Sequence, residues 1–361
     1  MQTPKIINAF FCFLFLGAFL ISCESTIVET SYIPETQGIN ASVELIRFEQ
    51  AFFNLDTANI GPELKELENK YPKFTGGYLS SVLGVRDSIS GRKQILGYLN
   101  YADARYTYDT VQQVFGTMPL IQTQLNQLAT YYQYYFPKNP AFNKAFTYLS
   151  EYHGDRLAVI DEGFIGLPLD MALGQGYPPY TFLKIPVYDQ RTCTKEHLVP
   201  KAADAIAQNL VAAVTKPKGN HLIDLMLYNG KIMYLTDVLL PTVEDSLLFG
   251  FSSLQMQYCK AGEYKLYEHI VGEELMYSSE TKKINKYISK GPFKPQFDLP
   301  GNSGSWLGYR MICSYERQLR SKLKRAKPNL STRELDQEIL QTILKETEPQ
   351  KFLTNYKPPK G

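Results

Sequence analysis

The chain has 361 residues, of which 44% are hydrophobic and 20% charged, and its formal net charge is +2. That composition fits an ordinary globular body. The near-neutral charge offers no basic surface for nucleic acid, which is excluded as a partner, and five Cys are an odd number rather than a disulfide framework.

The first five residues carry one cationic side chain, Lys5, and Ile6 to Ile21 is nearly all apolar. The run closes on Leu20-Ile21-Ser22-Cys23 and turns polar at Glu24-Ser25-Thr26. These are the three parts of a secretory signal peptide, and the end resembles a bacterial lipobox, with Leu, a small residue and then Cys. The other reading is an uncleaved membrane helix with a chance Cys, but the run is shorter than the roughly 20 residues a span needs. Residues 1–22 are therefore expected to be a lipoprotein signal peptide, with Cys23 acylated. Two or more acyl chains on Cys23 would anchor the protein stably, with its body in the periplasm. Residues 23–42 hold Ser, Thr, Glu, Pro, Gly and Asn and read as a flexible tether. Residues 43–361 read as a single globular domain. Cys193, Cys259 and Cys313 then remain in the body, and one pair among them could form in an oxidising envelope.

The body is expected to open with a helix from Val43, where Leu45, Phe48, Phe52 and Phe53 share a face. Pro62 marks the start of a second helix over Gly61–Tyr71. Residues 90–136 read as helix throughout, with Ile121, Leu125, Leu128, Tyr132 and Tyr135 as a buried stripe. Ala145–Leu149 and Leu157–Ile160 are short strand-type runs, followed by Phe164–Gly174 and a Gly- and Pro-rich turn to Pro179. The fold class is mainly α with a small β-sheet, α+β. Pro200 opens a helix over Val199–Val214 with Ala203, Ile206, Leu210 and Val214 as its apolar face. Lys216-Pro217-Lys218-Gly219 breaks it, and Asn220 can cap a second helix to Leu239. So short a break implies an antiparallel pair. Pro241–Phe249 is expected to be extended, with helices at Ser253–Tyr267, Glu273–Tyr277 and Ser279–Ser289. Gly301–Ser305 reads as a loop before a long helix to Arg325, where Gly304 and Gly308 allow a close backbone approach. Arg317, Arg320, Lys322, Lys324, Arg325 and Lys327 crowd its end, which suits the helix dipole and is expected to be solvated. Ser331 and Glu334 spell a capping box for the last helix.

Signatures of common chemistry are missing: there is no His-Glu-x-x-His, Gly-x-Ser-x-Gly, Walker loop, Gly-x-Gly-x-x-Gly or Cys-x-x-Cys. The four His are His153, His197, His221 and His269. His197 and His221 lie at the starts of the paired helices, so the first helix separates them by roughly 25 Å. One ion cannot bridge that, and each His is read as structural or surface.

Within the second helix, Asn220-His221-Leu222-Ile223-Asp224-Leu225-Met226-Leu227-Tyr228-Asn229-Gly230-Lys231-Ile232-Met233-Tyr234 resembles a stretch of the GldB-type gliding-motility lipoproteins. So do Arg47-Phe48-Glu49-Gln50-Ala51-Phe52-Phe53, Gly304-Ser305-Trp306-Leu307-Gly308-Tyr309-Arg310, and Phe352-Leu353 with Tyr356-Lys357-Pro358. The resemblance covers most of the chain beyond the leader. It implies a lipid-anchored, non-catalytic part of the gliding-motility and protein-secretion machinery of Bacteroidetes, docking on other envelope proteins. That family is similar in outline to zincin-like peptidases, which place two His at i and i+4 on one helix and an acidic ligand beside a Gly on another. Here Asp204 and Gln208 hold the i, i+4 positions, and Asn229 precedes Gly230 where relatives more often carry Glu. Neutral Asn and Gln are poor zinc ligands. The resemblance thus implies a zincin-like helical body lacking the metal-binding motif, with no metal and no cofactor. The alternative is an envelope hydrolase or ligand receptor using the remnant cleft, lined by Asp204, Gln208, Tyr228, Asn229 and Lys231. Lys231, one turn from Tyr228, could hold an anion there or stand as an exposed helix Lys.

Overall fold

In a computed structural model of the chain, residues 32–153, 159–160, 163–291 and 300–359 are described. The predicted signal peptide, Cys23, the first part of the tether, and Leu157 and Ala158 lie outside them. The described chain enters through a strand, β1 (Glu44–Arg47), and turns at once into α1 (Phe48–Phe53). The helix expected from Val43 is thus strand in its first half. Strand β2 (Lys144–Tyr148) pairs with β1 in parallel, from Glu44↔Lys144 to Arg47↔Thr147. A partner so distant in sequence overrides the local helical spacing.

Between those strands run α2 (Ile60–Lys70), α3 (Pro72–Ser81), α4 (Arg92–Leu99), α5 (Ala102–Phe115) and α6 (Pro119–Tyr135). Residues 90–136 are therefore three helices, interrupted at Asn100-Tyr101 and again at Gly116-Thr117-Met118. Helix α3 was not foreseen, although Pro72 sits in its first turn. After β2 come β3 (Val159–Ile160) and β4 (Phe164–Pro168), and the sheet order is β1-β2-β4-β3. The first three in that order are parallel, and β3 pairs antiparallel at the edge. One aromatic layer meets the sheet: Phe74 stacks on Phe146 at 4.2 Å, and Phe48 meets Phe74 and Tyr78 edge-on.

The second half is helical. Short helices α7 (Pro178–Phe182) and α8 (Val187–Gln190) lead to α9 (Leu198–Val214) and α10 (Leu222–Leu239). The buried side of α9 carries Val199, Ala202, Ala203, Ile206, Ala207 and Val211, so the core face is rotated from the predicted one and Val214 is exposed. The cap of α10 is His221, not Asn220: the Asp224 carboxylate accepts from the His221 backbone N–H at 3.2 Å and lies 3.0 Å from its ring Nδ1. Then follow α11 (Asp245–Phe249), α12 (Ser253–Ala261), α13 (Glu263–Gly272) and α14 (Thr281–Ile288). Part of the segment expected to be extended is α11. The helix expected over Ser253–Tyr267 is broken at Gly262, and α13 ends at Gly272, so Glu273–Tyr277 is turn rather than helix. The chain closes with α15 (Ser303–Ala326), α16 (Thr332–Lys345) and α17 (Pro349–Asn355). Ser331 and Glu334 form the expected capping box.

Helices α10 and α15 cross where neither has a side chain. A Cβ on Gly308 would lie 2.0 Å from the Met226 carbonyl oxygen, and one on Gly230 would lie 2.5 Å from the Gly308 carbonyl carbon. Gly304 faces another neighbour, where an added Cβ would lie 2.8 Å from Tyr287 of α14. Because α10 is covered on several sides, apolar residues occupy nearly its whole circumference.

The basic end of α15 is only partly solvated, since Arg320 pairs with Glu316 at 2.6 Å and with Asp336 at 2.5 Å, and Lys327 pairs with Glu338. Residues 33–361 form one compact unit, and Ile39 and Ala41 already pack on its core, ahead of the expected start at residue 43. Among the described residues, no helix is long and apolar enough to cross a membrane.

Gly308→Leu should destabilise the fold by at least about 3 kcal/mol, because overpacking meets backbone that cannot yield. Gly97→Ala, where an added Cβ meets nothing within 4 Å in α4, should instead stabilise by up to about 1 kcal/mol. Chemical denaturation of the two variants checks both, and an unchanged midpoint for Gly308→Leu contradicts the crossing.

Candidate functional site

The five polar residues expected to line a remnant cleft sit in different local settings. On α9, one turn apart, the Gln208 amide donates to the Asp204 carboxylate at 2.7 Å. Burial raises the pKa of Asp204, which is half-buried. On α10, the Asn229 amide donates to Ser305 Oγ of α15 at 3.0 Å, one residue from the glycine crossing. Tyr228 is half-buried against the main core.

Lys231 is neither exposed nor open to an anion. It is 3% exposed, and its ammonium donates to the Leu344 and Glu346 carbonyl oxygens at 3.0 and 2.5 Å. Those carbonyls lie at the C-terminal end of α16, where the last C=O groups lack helical partners. Lys231 is thus a cap supplied from another helix. Tyr228 and Lys231 do share a shallow surface cleft, bordered by Lys216, Lys218, Asp224 and Glu346. Lys218 at its border pairs with Glu348 at 2.7 Å.

The histidines are placed apart. His197 is buried beside Thr194 at 2.9 Å, and desolvation lowers its pKa to about 4. His269 Nε2 lies 2.9 Å from the Tyr287 hydroxyl, His221 caps α10, and His153 is exposed. Among the described residues, no three His, Cys, Asp or Glu side chains are placed to hold a metal ion. Cys193, Cys259 and Cys313 carry free thiols, the first two buried.

Asp170 and Glu263 are among the buried carboxylates that escaped sequence reasoning. Asp170, after β4, accepts from Ser150 N and Oγ and from Tyr152 N at 2.8–2.9 Å. Desolvation pushes it up to about 6 against those donors. The clamp holds Glu151 and Tyr152 at φ of 57° and 61°, a left-handed pair that non-glycine residues rarely adopt. Glu263, at the start of α13, takes Arg310 of α15 at 3.1 Å and the Tyr356 hydroxyl at 2.8 Å. A lone acidic residue in a helix or turn carries no sequence signal of such a role; the partners lie far along the chain.

Residues 29–358 match the family model described as gliding motility protein GldB. No curated protein and no solved structure matches the chain. The match spans nearly the whole body, from before β1 to beyond α17, and the chain belongs to the GldB gliding-motility family.

Proposed function

We propose that the chain is a lipid-anchored, non-catalytic component of the gliding-motility machinery and its associated protein secretion. An acyl group on Cys23 holds it at the membrane, its body lies in the periplasm, and it works by docking on other envelope proteins. Family membership supports the motility role and the envelope location. The non-catalytic reading is supported above all by Lys231, whose ammonium closes the end of α16. Asn229, the neutral residue before Gly230, holds Ser305. The rival reading, a hydrolase or ligand receptor, needs these groups turned toward a substrate.

Cys23→Ala should abolish palmitate labelling of the protein, leave an unprocessed precursor and stop gliding in a motile host. Persistent labelling would contradict anchoring at Cys23.

The role of Lys231 has a pH signature. Burial lowers its pKa from the ordinary 10.5 to about 8. The folded chain releases that proton before the unfolded chain does, so stability rises with pH between those two values and bears the full cost of the buried charge below about 8. In Lys231→Met that rise should vanish. Denaturation of both proteins across this range checks it, and an identical rise in the variant contradicts the burial.

A further inference from the structure

The segment joining α7 to α8 presents apolar side chains to solvent. Phe182 is 85% exposed, Val187 67% and Leu183 47%. No helix or strand of the described body covers them, yet the base beneath is firmly built. Tyr180 is fully buried; its hydroxyl donates to the Asp170 carbonyl oxygen at 2.6 Å and accepts the Leu173 N–H at 3.0 Å. Ile185 N donates to the Tyr180 carbonyl oxygen at 2.8 Å, and the buried Gln190 amide holds the Ile185 carbonyl oxygen at 2.7 Å. Tyr177, Tyr180 and Cys193 form an apolar cluster of their own under the tip. The exposed side chains are therefore displayed by a fixed scaffold, with Lys184 turned through a left-handed φ of 57° beside them.

We propose that this tip enters the headgroup–acyl boundary of the bilayer to which the N-terminus is anchored. Its chemistry is that of a membrane interface. Residues 181–188 hold one Lys and no Asp or Glu, and the first acidic residue, Asp189, is half-buried at the foot beside Tyr188, so Lys184 can keep its ammonium among headgroups while Phe182 and Leu183 descend. Tyr188 stands half-buried at the foot, and Tyr106, 54% exposed, stacks on Tyr177 at 6.4 Å. Tyrosine is enriched at that depth in membranes.

The chain length outside the body adds the second argument, which rests on the anchored reading above. From Cys23 to Ile33 the backbone spans at most about 35 Å. A body of this length has a radius of gyration of about 20 Å. The tether is thus shorter than the body is wide, which keeps the body within about 35 Å of the bilayer, where a favourable face can reach it. The rigid apolar tip supplies the face that gains by meeting it, as amphipathic elements do at this boundary.

The test uses the full chain in vesicles of phosphatidylethanolamine and phosphatidylglycerol. An environment-sensitive dye is placed on Phe182→Cys or, as a comparison on the exposed end of α15, on Lys324→Cys. The signal of the chain without an added thiol is subtracted. The dye at 182 should emit to the blue and be quenched by acyl-chain spin labels severalfold more than the dye at 324. With the dye on Val187→Cys, a second change of Phe182→Asp should remove that quenching without altering the thermal midpoint, since Phe182 packs on nothing. A dye at 182 as wet as the dye at 324 overturns the proposal, including the case in which added envelope proteins then shield it. Mass spectrometry of the N-terminal peptide reads acylation on the same sample. An unacylated chain would count against the anchoring alone, because the apolar leader would still hold it on the vesicles and the dye reading would stand.

Discussion

The fold depends on one backbone-to-backbone contact. Where α10 meets α15, Gly230 and Gly308 bring the two helices closer than any side chain permits. That contact sets the register of everything on both sides of it. One residue before Gly230, Asn229 faces Ser305; one residue after Gly308, Tyr309 donates to Asp237 of α10 at 3.0 Å. One residue after Gly230, Lys231 reaches the end of α16. A shift of a single turn would break all three pairs together, and buried polar groups left without partners are costly.

The same logic explains the short motifs that mark the family in this sequence. Each holds distant parts of the chain together. In Arg47-Phe48-Glu49-Gln50, the buried Glu49 carboxylate takes Arg47 and the Thr147 hydroxyl, each at 2.5 Å, while Arg47 and Gln50 both reach Gln112 of α5. In Trp306-Leu307-Gly308-Tyr309-Arg310, the glycine makes the crossing and Arg310 binds Glu263. In the tail, Tyr356 closes on the same Glu263. At the other end of α15, Arg320 and the Tyr134 hydroxyl share Asp336, which fastens α6 and α15 to α16. The residues that carry the resemblance are tie points of a scaffold, and that is the physical basis for reading the protein as a docking body.

How much was legible beforehand follows from the range of the interactions. Local signals were readable: the Ser331–Glu334 capping box, the Pro62 and Pro200 helix starts, the strand texture of Ala145–Leu149, and the close approach encoded by Gly308. What failed turned on distant partners. Leu45 and Phe48 shared a helical spacing, but pairing with Lys144–Thr147 pulled Glu44–Arg47 into a strand. Asn220 is a good cap by type, yet Asp224 selected His221. Lys231 read as exposed or anion-binding because its carbonyl partners lie more than a hundred residues downstream. Of the five cleft residues, Tyr228 and Lys231 border one surface cleft, while Asn229 turns to Ser305 and Gln208 to Asp204. The apolar tip at Phe182 carried no signal, since exposure is a property of what fails to pack on it.

The proposed function requires that the polar side chains of α9 and α10 serve the scaffold rather than a reaction. Gliding of a host carrying Asp204→Ala, Gln208→Ala and Tyr228→Phe together tests this most directly, with envelope abundance of the protein measured in the same cells. The account predicts spreading at the wild-type rate wherever abundance is unchanged. Loss of gliding at normal abundance would contradict it.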